Sequence, residues 1–165
     1  MAGLFRKRAG TDPETAPPSS VEDLDLDEFA LNVLDVARHF LISLAVPESL
    51  AWVEAIRRAE CAFPPPYGAT IASAILVAVQ ETQISRFHRS RLRVALHTPD
   101  GAAVTNEERY FIEAFQDIRK GRHSRAYANA LMLCEGVNSH AFLAALERLA
   151  VITGEVDALH YNAAV

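Results

Sequence analysis

The chain has 165 residues and a hydrophobic content of 50%, enough for one domain with a substantial core. Its formal net charge of −5 excludes a uniformly basic protein coated in nucleic acid, although it permits a local basic surface. Fourteen of the sixteen Lys and Arg residues are Arg, a usage typical of GC-rich genomes, so we expect a bacterial origin. The two cysteines, Cys61 and Cys134, form no C-x-x-C pair. Together with the lack of a secretory or membrane-length apolar run, this favours a cytoplasmic protein.

Residues 1–21 are predicted to be a disordered, basic and proline-rich tail, because their polar composition buries too little apolar surface to offset the entropy of ordering. Five acidic residues follow within the segment from Glu22 to Glu28. Negative charge at this position favours the N-terminus of a helix. The first helix is therefore predicted to begin close to residue 25.

Helical periodicity and turn residues predict an all-α fold, a bundle of about six helices in a single domain over residues 22–153. A loose C-terminal tail is expected at 154–165. The Thr105–Glu108 sequence is a capping box, in which two side chains bind backbone N–H groups left free at a helix start. The predicted helices are 25–45, 48–60, 68–96, 106–120, 125–135 and 139–153. No segment alternates well enough to predict a β-strand.

The longest predicted helix, 68–96, is the element around which the others are expected to pack. Its turns from Ile71 to Val79 are apolar on nearly every side, a pattern typical of a helix buried all round. In the second helix, Leu50, Val53 and Ile56 are predicted to face inward. A buried carboxylate at Ile75 should therefore unfold the domain.

Cations cluster in two places, and together they form a predicted basic band. The band consists of Arg86, Arg89, Arg93, Arg119, Lys120, Arg122 and Arg125. Between Ile84 and Arg125 the local net charge is +4, so the rest of the chain carries −9. The first three cations share one side of the long helix, and residues 84–97 contain no acid with which they could pair. We therefore expect an exposed band that attracts an anionic surface.

This band leads to the functional hypothesis of a non-enzymatic protein-binding module, with an adaptor or regulatory role, that docks an acidic partner protein. A competitor for the same surface is the chain's own acidic segment from Glu22 to Glu28. The variant Arg86→Glu with Arg89→Glu is expected to keep the fold and abolish partner capture, and native binding should weaken with salt. The sequence leaves homo-oligomer formation open.

Nucleic-acid binding is the first alternative. It rests on the same cations and on the glycine-containing turn from Glu135 to Ser139, which resembles the turn of a helix-turn-helix. The helix that would read the DNA, His140 to Thr153, has Arg148 as its single cation and lacks the Asn, Gln and Lys that contact bases. Catalysis is less well supported, because neither a phosphate-binding glycine motif nor a nucleophile elbow is present.

A metal site within the bundle is the second alternative. Asp35 and His39 lie on one side of the first predicted helix, and Glu81 and His88 lie on one side of the long helix. If these two sides faced each other, they would offer two carboxylates and two imidazoles. The Glu-x-x-His pair of di-iron bundles is missing from the sequence, so we interpret both sides as solvated faces and expect neither a metal nor any other cofactor.

Overall fold

The computed structural model describes residues 19–86 and 102–163, with side chains described for 20–86 and 102–154. The prediction of an all-α bundle is confirmed in this part of the chain, which forms six α-helices. These are α1 Glu28–Ala45, α2 Ala51–Ala62, α3 Tyr67–Arg86, α4 Asn106–Arg119, α5 His123–Leu133 and α6 Ser139–Ala163. Short 3₁₀ helices at Val21–Asp23 and Pro47–Ser49 precede α1 and α2. None of the described helices is long and apolar enough to cross a bilayer.

The helix starts follow the capping residues. Asp27 precedes α1, and its Oδ1 accepts the N–H of Ala30 at 2.7 Å, so α1 begins at Glu28 and not at 25. The predicted capping box of α4 is confirmed, since the Thr105 hydroxyl accepts the N–H of Glu108 at 3.1 Å and the Thr105 N–H donates to Glu108 Oε2 at 2.9 Å. Both helix starts depend on hydrogen bonds between residues that are three positions apart, so the residue types at that spacing predict them.

The predicted ends of the helices are less accurate. Helix α6 continues to Ala163, past the predicted end at 153, and takes in most of the residues predicted to form a loose tail at 154–165. Gly154 does not end it, because a single glycine inside a helix costs only about 1 kcal/mol relative to alanine. The predicted part of α3 after Arg86 and residues 1–18 of the tail predicted at 1–21 lie outside the described residues. Residues 19–21 of that tail are not disordered, because Ser19 and Ser20 form a short strand and Val21 begins the first 3₁₀ helix.

Two very short strands add an element that the sequence did not predict. Strand β1, Ser19–Ser20, pairs antiparallel with β2, Ala103–Val104, with Ser19 opposite Val104. Two residues are too few to produce an alternating pattern, so periodicity could not reveal them. The pairing fixes the chain that leads into α1 beside the chain that leads into α4.

Helix α3 lies at the centre of the packing, where it contacts α6, α2 and α1, while α4 packs on α5 and α6. Ile71, Ile75 and Val79 of α3 have no exposed surface, which agrees with the prediction that these turns form the core. Gly68 allows α2 and α3 to approach closely. A Cβ at this position would lie 2.7 Å from the Cα of Glu60, which is closer than such atoms pack.

Two predictions about burial are wrong. Leu50 and Val53, predicted to face inward, are 59% and 49% exposed, because α2 packs through the small residues Ala55 and Ala59 and buries only a narrow face. Helix α3 is also not buried all round. Its positions 69, 70 and 73 are exposed, and this open side forms the groove described below.

Candidate functional site

The described residues of the predicted basic band do not form one open surface. Arg86 is 8% exposed, and its Nη2 lies 2.8 Å from Oε1 of Glu135. Its Nη1 lies 3.8 Å from Oε1 of Glu107. Arg86 therefore ties the end of α3 to the α5–α6 turn and to the start of α4. Substituting Arg86 with Glu would place a third carboxylate beside Glu107 and Glu135 at a position that is 8% exposed, so we expect Arg86→Glu to destabilise the fold and not to leave it intact.

Arg119 is also engaged inside the molecule. Its Nη1 donates to both carboxylate oxygens of Asp27, at 2.8 and 3.1 Å, and its guanidinium lies over the rings of Phe29 and Phe115 at 5.0 and 5.7 Å. In addition, Gln116 Nε2 donates to the backbone carbonyl of Asp25 at 3.0 Å. The segment from Glu22 to Glu28, predicted to compete with a partner for the basic band, therefore contacts the band at the end of α4.

Buried Asp117 holds the next two cations. Its Oδ1 accepts Nε and Nη2 of Arg122 at 2.6 Å, and its Oδ2 lies 3.6 Å from Nε of Arg125. Asn129 adds a weaker contact from Nδ2 at 3.4 Å. Lys120 is exposed, and the described residues offer its ammonium group neither an ion pair nor a hydrogen bond. Lys120 and the 66%-exposed side chain of Arg125 are the cations of the described band that reach solvent most freely.

Asp35 and His39, the two α1 residues of the alternative metal site, lie together and make hydrogen bonds within the bundle. Asp35 Oδ2 accepts Nη1 of Arg58 at 2.8 Å, and His39 Nδ1 lies 2.8 Å from the backbone oxygen of Asp35, which requires the ring N–H to donate there. Across the described side chains, no three His, Cys, Asp or Glu residues form a group that could hold a metal ion. Glu81 is half-buried on α3. His88, Arg89 and Arg93 lie outside the described residues.

Arg58 also belongs to an ion-pair network on the surface of α2, together with Glu54 and Arg57. The contribution of this network to stability should depend on pH. Hydrogen bonds from Arg57, and to a smaller extent from Arg58, lower the pKa of Glu54 to about 2 from an ordinary 4.5. A lowered pKa means that the contribution of this network to stability is present above pH 4.5 and is lost as the pH falls towards 2. We expect the carboxyl carbon of Glu54 to titrate near pH 2 by NMR, and the Arg57→Gln variant to move the midpoint up towards 4.5. An unchanged midpoint in that variant would contradict the assigned cause.

A pair of open, mostly apolar depressions lies along α3, and we call the pair the α3 groove. The first depression, of about 380 Å³, lies between α3, α1 and α2. Its lining residues are Phe40, Ser43, Leu44, Trp52, Ile56, Ala69, Ala72, Ser73 and Leu76. The second, of about 600 Å³, lies between α3 and α6, lined by Ala69, Thr70, Ser73, Ala74, Val77, Ala145, Arg148 and Ile152.

Both depressions share Ala69 and Ser73, which lie side by side on the exposed face of α3. A methyl and a hydroxymethyl group are therefore all that separates one depression from the other. The outer wall of the first depression carries Trp52 and Leu44, which are 46% and 43% exposed. Val46, Leu50 and Val53 expose further apolar surface around the same α1–α2 corner. Several exposed apolar side chains at one corner of a domain are a common feature of interaction sites.

Sequence reasoning missed this groove. The relevant signal was present, because Thr70 and Ser73 interrupt the apolar pattern of α3 on the side that is open. A second signal was Trp52, which lies next to Val53 at the start of a short amphipathic helix whose inner face is alanine. Neither signal indicates a groove by itself, since a groove also requires that α1, α2 and α6 leave this side of α3 uncovered.

The described chain is thus an all-helical bundle with an apolar groove along its central helix. No protein-family model, curated protein or solved structure matches it.

Proposed function

We propose that this chain is a non-enzymatic protein-binding module, with an adaptor or regulatory role, and that the α3 groove binds a helical segment of a partner protein. The observation that carries the proposal is the groove itself, with its apolar lining and half-exposed Trp52 and Leu44. Docking of an apolar helix face into a hydrophobic groove is a recurrent mode of recognition between proteins. The proposal also covers a cytoplasmic location and a bacterial origin, supported by the cysteine usage and the arginine-rich composition.

The chemistry of the groove favours a protein ligand over a substrate. Enzyme sites place several polar groups at converging positions in a closed pocket. The described residues that line the first depression contribute the Ser43 and Ser73 hydroxyls and the Trp52 indole N–H as polar side-chain groups, and none of these residues is charged. Its open shape suits an elongated ligand, such as a helix, that contributes apolar side chains of its own.

The proposal keeps a smaller role for the basic band, in which only part of its cations attract the partner. Among the band cations that the structure describes, Lys120 and Arg125 can act on a partner without breaking a short intramolecular ion pair. Arg86, Arg119 and Arg122 each contact a carboxylate of the chain itself. Nucleic-acid binding depends on cations that are available to displace the counterions of phosphates. Because these three Arg side chains pair within the chain, nucleic-acid binding has less support than before.

The proposal is tested by obstructing the groove. Ser73→Tyr places a bulky side chain between the two depressions, whereas Gln80→Tyr adds the same side chain at an exposed position of α3 outside their lining. Proteins captured from the native cell by the wild-type chain would be identified by mass spectrometry, purified and titrated against each variant. Trp52 is the single tryptophan, so its fluorescence reports binding at the groove.

We expect Ser73→Tyr to weaken binding of the purified partner at least about tenfold, equivalent to 1.4 kcal/mol, and Gln80→Tyr to leave it unchanged. Lys120→Glu with Arg125→Glu should reduce affinity less and should lower its salt dependence, because exposed charges are screened. Partners that bind Ser73→Tyr as tightly as the wild-type chain would show that the interface lies elsewhere.

A further inference from the structure

We infer that the occupant of the α3 groove is an acidic amphipathic helix of another protein, with a carboxylate beside its apolar face that pairs with Arg148. This inference rests on the proposed function and specifies the partner segment. It follows from the dimensions of the groove and from the charges in its lining.

The dimensions fit a helix lying over α3. Residues 69 to 77 of α3 line the two depressions, and nine residues of a helix span about 12 Å, or slightly more than two turns. Since only Ala69 and Ser73 separate the depressions, a second helix can approach α3 closely there. Large side chains of that helix would then fill the depression beside Trp52 on one side and the depression beside Ile152 on the other.

The charges select an acidic occupant. Among the described side chains, neither depression is lined by a carboxylate, and Arg148 of α6 is the one charged residue in the lining of the pair. Arg148 is exposed, and the described residues give it no ion pair or hydrogen bond. Its neighbour Glu147 is exposed as well, but consecutive residues of a helix point about 100° apart, so Glu147 faces away from the groove. A carboxylate of the partner would neutralise Arg148 as the groove loses water.

The same charges disfavour a second copy of this chain as the occupant. In a two-fold symmetric dimer each copy presents the same surface to the other. A dimer formed through the α3 groove would bring two Arg148 residues into one interface, where the part of the lining that the structure describes supplies no carboxylate to either. An acidic amphipathic helix from a different chain would supply apolar side chains to the lining and a carboxylate to Arg148.

The test uses a displayed library of amphipathic helical peptides with a fixed apolar stripe and flanking positions randomised to Glu, Gln or Lys. Selection on the wild-type chain is expected to enrich Glu at one position beside the stripe. Replacing that Glu by Gln should weaken binding about tenfold at low salt, and the difference should shrink as salt rises. Selection on Arg148→Glu should enrich Lys at the same position, while the control Arg57→Glu, at a 62%-exposed side chain of α2 outside the lining, should still enrich Glu.

The other outcomes separate this inference from the proposed function. Peptides that lose binding with Ser73→Tyr but show no preference for Glu would overturn the acidic helix and keep the groove as a docking site. Peptides that bind Ser73→Tyr normally would contradict both. A concentration-dependent dimer in sedimentation that disappears with Ser73→Tyr would identify a second copy as the occupant and overturn the inference. Failure to enrich any helical peptide also counts against it. Circular dichroism and melting curves verify that each variant is folded.

Discussion

Ile75→Asp is expected to abolish cooperative folding. Ile75 lies in the middle of α3 with no exposed surface, among residues of the apolar core. The substitution removes a buried aliphatic side chain, at a cost of about 2–5 kcal/mol, and adds a carboxylate that has no counter-ion there. Domains of this kind are stable by only about 5–15 kcal/mol, so the two costs together exceed or consume that margin. The measurement is the thermal and urea unfolding curve followed by circular dichroism.

Ile84→Asp is the matched control. It makes the same chemical change on the same helix, but Ile84 is 61% exposed, so the new carboxylate stays hydrated. We expect this variant to unfold close to the wild-type midpoint. A wild-type melting curve for Ile75→Asp would show that α3 is not the centre of the core, and equal destabilisation by both substitutions would show that burial is not the cause.

The second large effect is expected at the buried ion pair between α1 and α4. Glu108 is 2% exposed, and its carboxylate accepts Nε and Nη2 of Arg38 at 3.0 and 3.2 Å as well as the capping N–H of Thr105. Arg38 Nη2 also donates to the backbone oxygen of Ala103 at 2.7 Å, so the pair holds β2 against α1. Glu108→Leu removes the counter-ion of a largely buried guanidinium, and we expect a loss of about 3–5 kcal/mol in the free energy of unfolding.

Combining Arg38→Met with Glu108→Leu should recover most of this loss, because no unpaired charge is then left in the interior. The recovery should stop about 1 kcal/mol short of the wild-type value, since the double variant still lacks the α4 cap that Glu108 provides. Urea unfolding of the two single variants and the double variant measures the coupling directly. A double variant as unstable as Glu108→Leu alone would show that the cap or the packing, and not the ion pair, accounts for the loss.

Much of the fold could be predicted from the sequence, whereas the site could not. The cap at Asp27 and the capping box at Thr105 depend on groups three residues apart, so their sequence pattern indicates them. The basic band was predicted on the assumption that an Arg without an acid at helical spacing is exposed. That assumption failed at Arg86, whose carboxylate partner Glu135 is 49 residues away.

The sequence by itself determined the number of helices, their approximate limits and the identity of the central helix, since these depend on residues close together along the chain. The tertiary structure alone decided which charges are paired, because Arg38 and Glu108 are 70 residues apart and Asp27 and Arg119 are 92 residues apart. It also decided which side of α3 remains open. An apolar side chain faces the core or solvent according to whether another helix covers it. At Ala69 and Ser73 of α3, the helices α1, α2 and α6 pack to either side and leave a groove between them.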